Sequence, residues 1–161
     1  MRPFSGVFAV LLLLLALPAV ATAPVIVVNP FTPFLLSGGT NTCPFDVAVV
    51  PQPGRPNSGK LIVFADGSTI GHGAVFVTAT NVTTSKSVNL NISGPGQFSV
   101  TNNTFTAFGA TLGILPPNRV PPNLPPVSFA HGQTVLQFDN SGNIVSVSFS
   151  GTAQNLCELL Q

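Results

Sequence analysis

The side chains able to do chemistry are few. Two histidines, His72 and His131, and four carboxylates, Asp46, Asp66, Asp139 and Glu158, stand beside two cysteines and five basic residues. The histidines occur in Gly71-His72-Gly73 and Ala130-His131-Gly132, contexts that read as strand ends. No His-x-His, His-x-x-x-His or His-Glu spacing sets two ligands on one element, so a metal or acid–base site would have to recruit Asp66 or Asp139 from elsewhere. Glycoside hydrolysis needs two carboxyls held across a cleft, for which Asp46, Asp66 and Asp139 are the candidates. Asp66 and Asp139 lie in turn contexts, however, and no Gly-x-Ser-x-Gly elbow accompanies the many serines. Exposed turn residues are the simpler reading of all these groups. No cofactor and no metal ligand set is implied.

Cys43 and Cys157 are the only cysteines. An even pair in an exported chain reads first as a disulfide, ahead of two free thiols or a nucleophile paired with a histidine. The bridge would close a loop of more than 100 residues, worth about 4–5 kcal/mol in the chain-entropy model. Export itself is read from the first residues. Met1-Arg2 is a small basic start, Val7 to Leu17 is an unbroken apolar run, and Ala19-Val20-Ala21 offers a small-x-small cleavage site. Cleavage after Ala21 is preferred over Ala23, because Pro24 would directly follow the second cut. An uncleaved anchor would need about 20 apolar residues. Pro18, Pro24, Pro30 and Pro33 interrupt any such run.

Composition narrows the class. Only 6% of the 161 residues are charged, 45% are apolar, and there is no Trp or Tyr. Without Arg2 the basic and acidic residues balance at four each, so the mature chain has no basic surface for nucleic acid. The 16 Pro and 15 Gly favour many turns over long helices.

These features divide the chain into a signal peptide over 1–21, an extended Pro-rich leader or added edge strand over 22–42, and a disulfide-closed β domain over 43–161. Period-two alternation is clearest in Ser87 to Ser93 and Val145 to Ser150, where apolar residues face one side and Asn or Ser the other. Weaker runs at Phe45–Val50, Leu61–Ala65, Ala74–Val82, Gln97–Thr101, Thr104–Ala110 and Gln133–Phe138 bring the count to about eight strands. Asp66-Gly67, Asn102-Asn103, Gly94-Pro95-Gly96 and Asn140-Ser141-Gly142-Asn143 supply the turns. Leu115 to Val127 holds six prolines and is expected to end a sheet or cross its mouth. Ala153 to Leu160 is expected as a short terminal helix. The fold class is all-β: one antiparallel up-and-down barrel, or a barrel-like sandwich, with a short C-terminal helix.

Taken in order, Cys43-Pro44-Phe45-Asp46-Val47, Phe64-Ala65-Asp66-Gly67, Ser87 to Pro95, Phe138 to Asn143 and Leu156-Cys157-Glu158-Leu159 give the chain a likeness to a known group. It resembles small uncharacterised secreted all-β proteins of actinobacterial type. The resemblance implies a fold and a compartment, and no catalytic residues.

The function read from these residues is a secreted, non-enzymatic β domain acting as a structural or surface-interaction module. The alternatives are a barrel that carries a small apolar ligand, using some of the 13 Phe, and a hydrolase using His72 or His131. The partner would be an extracellular protein or a small apolar molecule, with no nucleic acid and no stable membrane span after cleavage. Three Asn-x-Ser/Thr triplets, at Asn81, Asn91 and Asn102, carry little weight, since chance supplies about as many in so Asn-, Ser- and Thr-rich a chain. The disulfide is directly testable: denatured without reductant, the mature protein is expected to take up no thiol label, and after reduction to take up two per chain.

Overall fold

The computed structural model describes residues 22–161, so the proposed signal peptide over 1–21 lies outside the described residues. Ten strands follow: β1 (Val25–Pro30), β2 (Phe34–Leu36), β3 (Val47–Pro51), β4 (Asn57–Val63), β5 (Thr69–Asn81), β6 (Ser87–Asn91), β7 (Gly96–Ser99), β8 (Thr104–Ile114), β9 (Val127–Phe138) and β10 (Ile144–Asn155). A 3-10 turn, Pro117–Arg119, lies between β8 and β9, and one α-helix, α1 (Leu156–Leu159), ends the order among the described residues. Every strand pairing is antiparallel.

The long strand β5 organises the sheet. Its first half, Thr69 to Val75, pairs with β4 on one side, and Thr69–Gly71 pairs with β7 on the other. Its second half pairs with β3 and β6. One strand therefore belongs to two layers: a wide layer in the order β1-β4-β5-β7-β8-β9-β10, and a small one in which β5 lies between β3 and β6 with β2 outside β3. The segment 22–42 supplies β1 and β2, the outer strands of the two layers at that end.

The main core forms where the small layer faces α1 and the start of β9. Val47, Val49, Val77, Ala79 and Leu90 pack with Val127, Leu156 and Leu160, all at most 3% exposed. Burying a Val or Leu side chain contributes about 1.5–3 kcal/mol, which makes this cluster the main apolar contribution to stability. The Cys43–Cys157 disulfide sits within it, with Cα atoms 5.2 Å apart. A four-residue helix cannot persist alone. Here Asn155 caps it, accepting from the Cys157 amide at 3.0 Å and donating to Glu158 Oε1 at 3.0 Å, while Leu156 and Cys157 anchor it. The expected helix over Ala153–Leu160 is thus shorter, because Ala153 to Asn155 stay in the β10 ladder against Ala130 to Ser128.

The barrel expectation is corrected: the sheet is open, and β1 and β10 are its two unjoined edges. The Pro-rich segment gives the physical reason. Leu115 N–H donates to the Pro126 carbonyl at 2.9 Å, closing Leu115–Pro126 into a compact strap. Leu115 and Leu124, 7% and 4% exposed, press onto Ala130, with Leu136, Val147 and Phe149 around them. Arg119 and Asn123 donate to the carbonyls of Val145 and Phe149 on β10. Side chains of the strap thereby take acceptors that a closing strand would need. At Gly132 and Gly151, paired across β9 and β10, φ is 151° and 147°. A Cβ on either would meet the opposite backbone near 2.1–2.2 Å, so the two strands approach where only glycine fits.

Replacing both Cys43 and Cys157 by Ala is expected to cost about 4–5 kcal/mol. For a domain of this size that lowers the melting temperature by roughly 10–20 °C, measured by thermal unfolding.

Candidate functional site

Side chains paired directly across antiparallel strands share a face. The register therefore reads out the inner face of the wide layer in rows. One row runs Val27, Leu61, Gly71, Gly96, Ala107, Thr134 and Phe149 from β1 to β10. The next runs Val25, Val63, Thr69, Phe98, Phe105, Leu136 and Val147. Apart from Thr69 the second row is filled by large apolar residues, and Phe98 packs edge-on against Phe138 at 6.2 Å. At its centre the first row has glycine, glycine, alanine and threonine. Beside it, Gly59 pairs with Gly73 and Gly113 with Ser128. Side-chain volume is missing where it would otherwise fill the concave side.

The result is a trough of about 640 Å³, bounded by Phe105 and Leu136 toward the aromatic end, Leu115 and Leu124 of the strap toward the other, and Phe31 and Ile92 at its side. Its size falls within the roughly 300–1,000 Å³ of small-molecule sites, and its lining is mainly apolar. β5 marks its border with the core. Gly71, Gly73, Val75, Val77 and Ala79 share one face, the first three lining the trough and the last two belonging to the main core. Some of these glycines are required by the backbone: a Cβ on Gly73 would lie 2.5 Å from Gly59 Cα, and one on Gly94 2.3 Å from the Phe108 carbonyl. Gly71 is different, since its Cβ would make ordinary contact with Leu61 at 3.7 Å.

Two lining residues carry ionisable groups, Lys60 and His72, yet they pair with each other on the outer face and both are exposed. The interior polar groups are uncharged. One stands apart: Ser128 is fully buried, and its Oγ has no hydrogen-bond partner. Leaving a buried hydroxyl unpaired costs about 1–3 kcal/mol, so its presence on this wall requires a reason.

The residues singled out for chemistry do not converge. His131 lies on the outer face of β9, edge-on to Phe129 at 4.6 Å, while His72 is on β5 with β7 and β8 between them in strand order. At about 4.8 Å per strand that is roughly 14 Å along the sheet. Asp46 accepts from the Gly38 amide at 2.7 Å and so closes the loop before β3. Asp66 accepts from the Ser68 amide and hydroxyl, at 2.9 and 3.0 Å, in the β4–β5 turn. Asp139 accepts from the Ser141 and Asn143 amides, at 2.8 and 2.9 Å, in the β9–β10 turn. Each carboxylate serves its own loop. Among the described residues no three His, Cys, Asp or Glu side chains gather as a metal set. Asn81, one of the glycosylation triplets, is 2% exposed; its side chain donates to the Leu160 carbonyl at 3.1 Å and accepts from the Thr83 and Thr84 amides. It ties the β5–β6 turn to the chain end, a role no local pattern announces.

The turn hydrogen bonds hold both Asp66 and Asp139 below the ordinary carboxylate range, the Ser68 amide being the main cause for the first and the Asn143 amide for the second. Depressed native pKa values mean stability that is fully present above the unfolded carboxylate pKa, about 3.9, and lost as pH falls through the native values. Thermal unfolding between pH 6 and about pH 2 is expected to show a decline confined to the acid end, and Asp66→Asn with Asp139→Asn to flatten it.

Compared with known proteins, the chain matches no family model, no curated protein and no solved structure, so its own geometry is the ground for a functional reading.

Proposed function

We propose that this chain is an exported, non-enzymatic β domain that binds a small apolar molecule in the trough of its wide layer. The observation that carries the reading is the placement of Gly71, Gly96, Ala107 and Thr134 in one row of four adjacent strands, which leaves about 640 Å³ in the middle of an otherwise apolar wall. Interiors normally pack to crystal-like density, and a domain with large residues in the neighbouring row has the means to fill this one. Export is supported by the apolar run Val7–Leu17 after Met1-Arg2, and by a disulfide suited to an oxidising compartment. No helix among the described residues is long and apolar enough to cross a membrane.

A specific observation also favours a surface-interaction role. Strand β1 exposes Val25, Ile26, Val27 and Val28 by 45–65% and pairs only with β4, leaving an apolar edge without charge. Such edges are open to added strands. Ile26→Lys with Val28→Lys should then abolish any self-association seen by analytical ultracentrifugation while the cavity stays competent.

Cavity filling tests the main reading. Gly71→Val and Ala107→Phe place side chains in the trough at positions with room for a Cβ or already bearing one. Overpacking costs of about 1–3 kcal/mol correspond to roughly 5–150-fold weaker binding. Uptake of the fluorescent apolar probe N-phenylnaphthylamine is expected in the unaltered protein and lost to that extent in each variant, with thermal unfolding as the check on folding. Equal uptake by all three proteins would place the probe elsewhere and reject the reading.

A further inference from the structure

We infer that the trough selects an aliphatic chain ending in an uncharged oxygen group, an alcohol or its ester, and that Ser128 receives that oxygen beneath the strap. The inference rests on the ligand-binding reading above and names its ligand class.

Three observations converge on Ser128. Its side chain shares the inner face of β9 with Ala130 and Thr134, and it lines the trough beside Leu115 and Leu124, the two strap residues that cover this end. It is fully buried and its Oγ has no partner, whereas the other buried polar side chain of the core, Asn81, is satisfied by three hydrogen bonds. Directly across the ladder stands Gly113, where a Cβ would come within 2.9 Å of Ser128 Oγ. The absence of a side chain at Gly113 makes room for the hydroxyl itself, which is packed away from solvent and reaches the trough by turning about its single torsion among the staggered positions.

The charge distribution gives the rest of the ligand. Lys60 and His72 stand on the outer face, and no other ionisable side chain lines the trough. A carboxylate or ammonium head at Ser128 would be desolvated with nothing to compensate it. A hydroxyl or ester oxygen needs only one partner, and Ser128 can donate or accept. The remaining lining, Phe105, Leu136, Leu112 and Ile92 among glycines, suits a flexible hydrocarbon.

The test compares decanol, decane and decanoate, each displacing N-phenylnaphthylamine from the folded, oxidised protein and from Ser128→Ala. Comparing the two proteins ligand by ligand cancels the different hydration of the three probes. The expected result is that Ser128→Ala weakens decanol roughly five- to tenfold, the worth of one hydrogen bond, leaves decane unchanged, and does not lower the melting temperature of the empty protein. Decanoate at pH 8 is expected to bind more weakly than decanol. Equal effects on decanol and decane, or none, would overturn the assignment of Ser128 while leaving the trough as an apolar site. A marked fall in melting temperature would assign the hydroxyl to the fold and overturn the inference. Failure of all three to displace the probe would overturn this ligand class, and failure of the probe itself to bind would bring down the ligand-binding reading with it.

Discussion

Cys43 and Cys157 are joined within the main buried core, and the rest of the architecture follows from that placement. The bond ties the loop ahead of β3 to the helix after β10, so the small layer and the last strand of the wide layer cannot separate. With the core concentrated there, around Val47, Val77, Leu156 and Leu160, the middle of the wide layer is free of the usual demand to be filled. An open sheet with a hollow concave side is tolerable only when stability is gathered elsewhere. Here the disulfide core holds one end, and the strap, pinned through Arg119 and Asn123 to β10, holds the other.

Much of the fold was legible because β structure writes itself with period two. The runs at Ser87–Ser93 and Val145–Ser150 fall within or around β6 and β10, and the turns at Asp66-Gly67 and Asn140–Asn143 join the strands expected. The bridge follows from cysteine number, and the terminal helix expected over Ala153–Leu160 forms over Leu156–Leu159, its start set by the Asn155 cap, which the sequence pattern does not single out. Ten strands replace about eight because Val25–Val28 shows no alternation, being apolar on both faces of an edge, and because Phe34–Leu36 is too short to display a period. The all-β antiparallel class with its short terminal helix is the one formed, and of the architectures it leaves open the closed barrel is not. The prolines announce a segment that cannot pair, but their effect on the edge of β10 depends on side chains that meet only after folding.

The trough was nearly invisible by comparison. Gly59, Gly71, Gly96, Ala107 and Thr134 are scattered over almost half the chain, and each alone reads as a turn or a weak strand position. Only cross-strand register assembles them into one hollow surface. Ser128 is the extreme case: a serine before Phe129 in a strand is unremarkable until its burial and lack of a partner are known. Conversely, the histidines and aspartates drew attention by type, and the structure disperses them among turns and the outer face. In a sheet protein, residue type announces possible chemistry, but only pairing determines which residues meet.

The position of the disulfide also determines how the molecule responds to being pulled. Residues 44–156 lie inside the covalent loop, so tension entering through the segment before Cys43 and leaving beyond Cys157 bypasses them through two sulfur atoms. The part left in the line of force is the 22–42 segment, whose β1 can peel from β4 one residue pair at a time while the hollow layer stays folded behind it. The covalent loop thus shields the hollow layer from load, while the segment before it can extend.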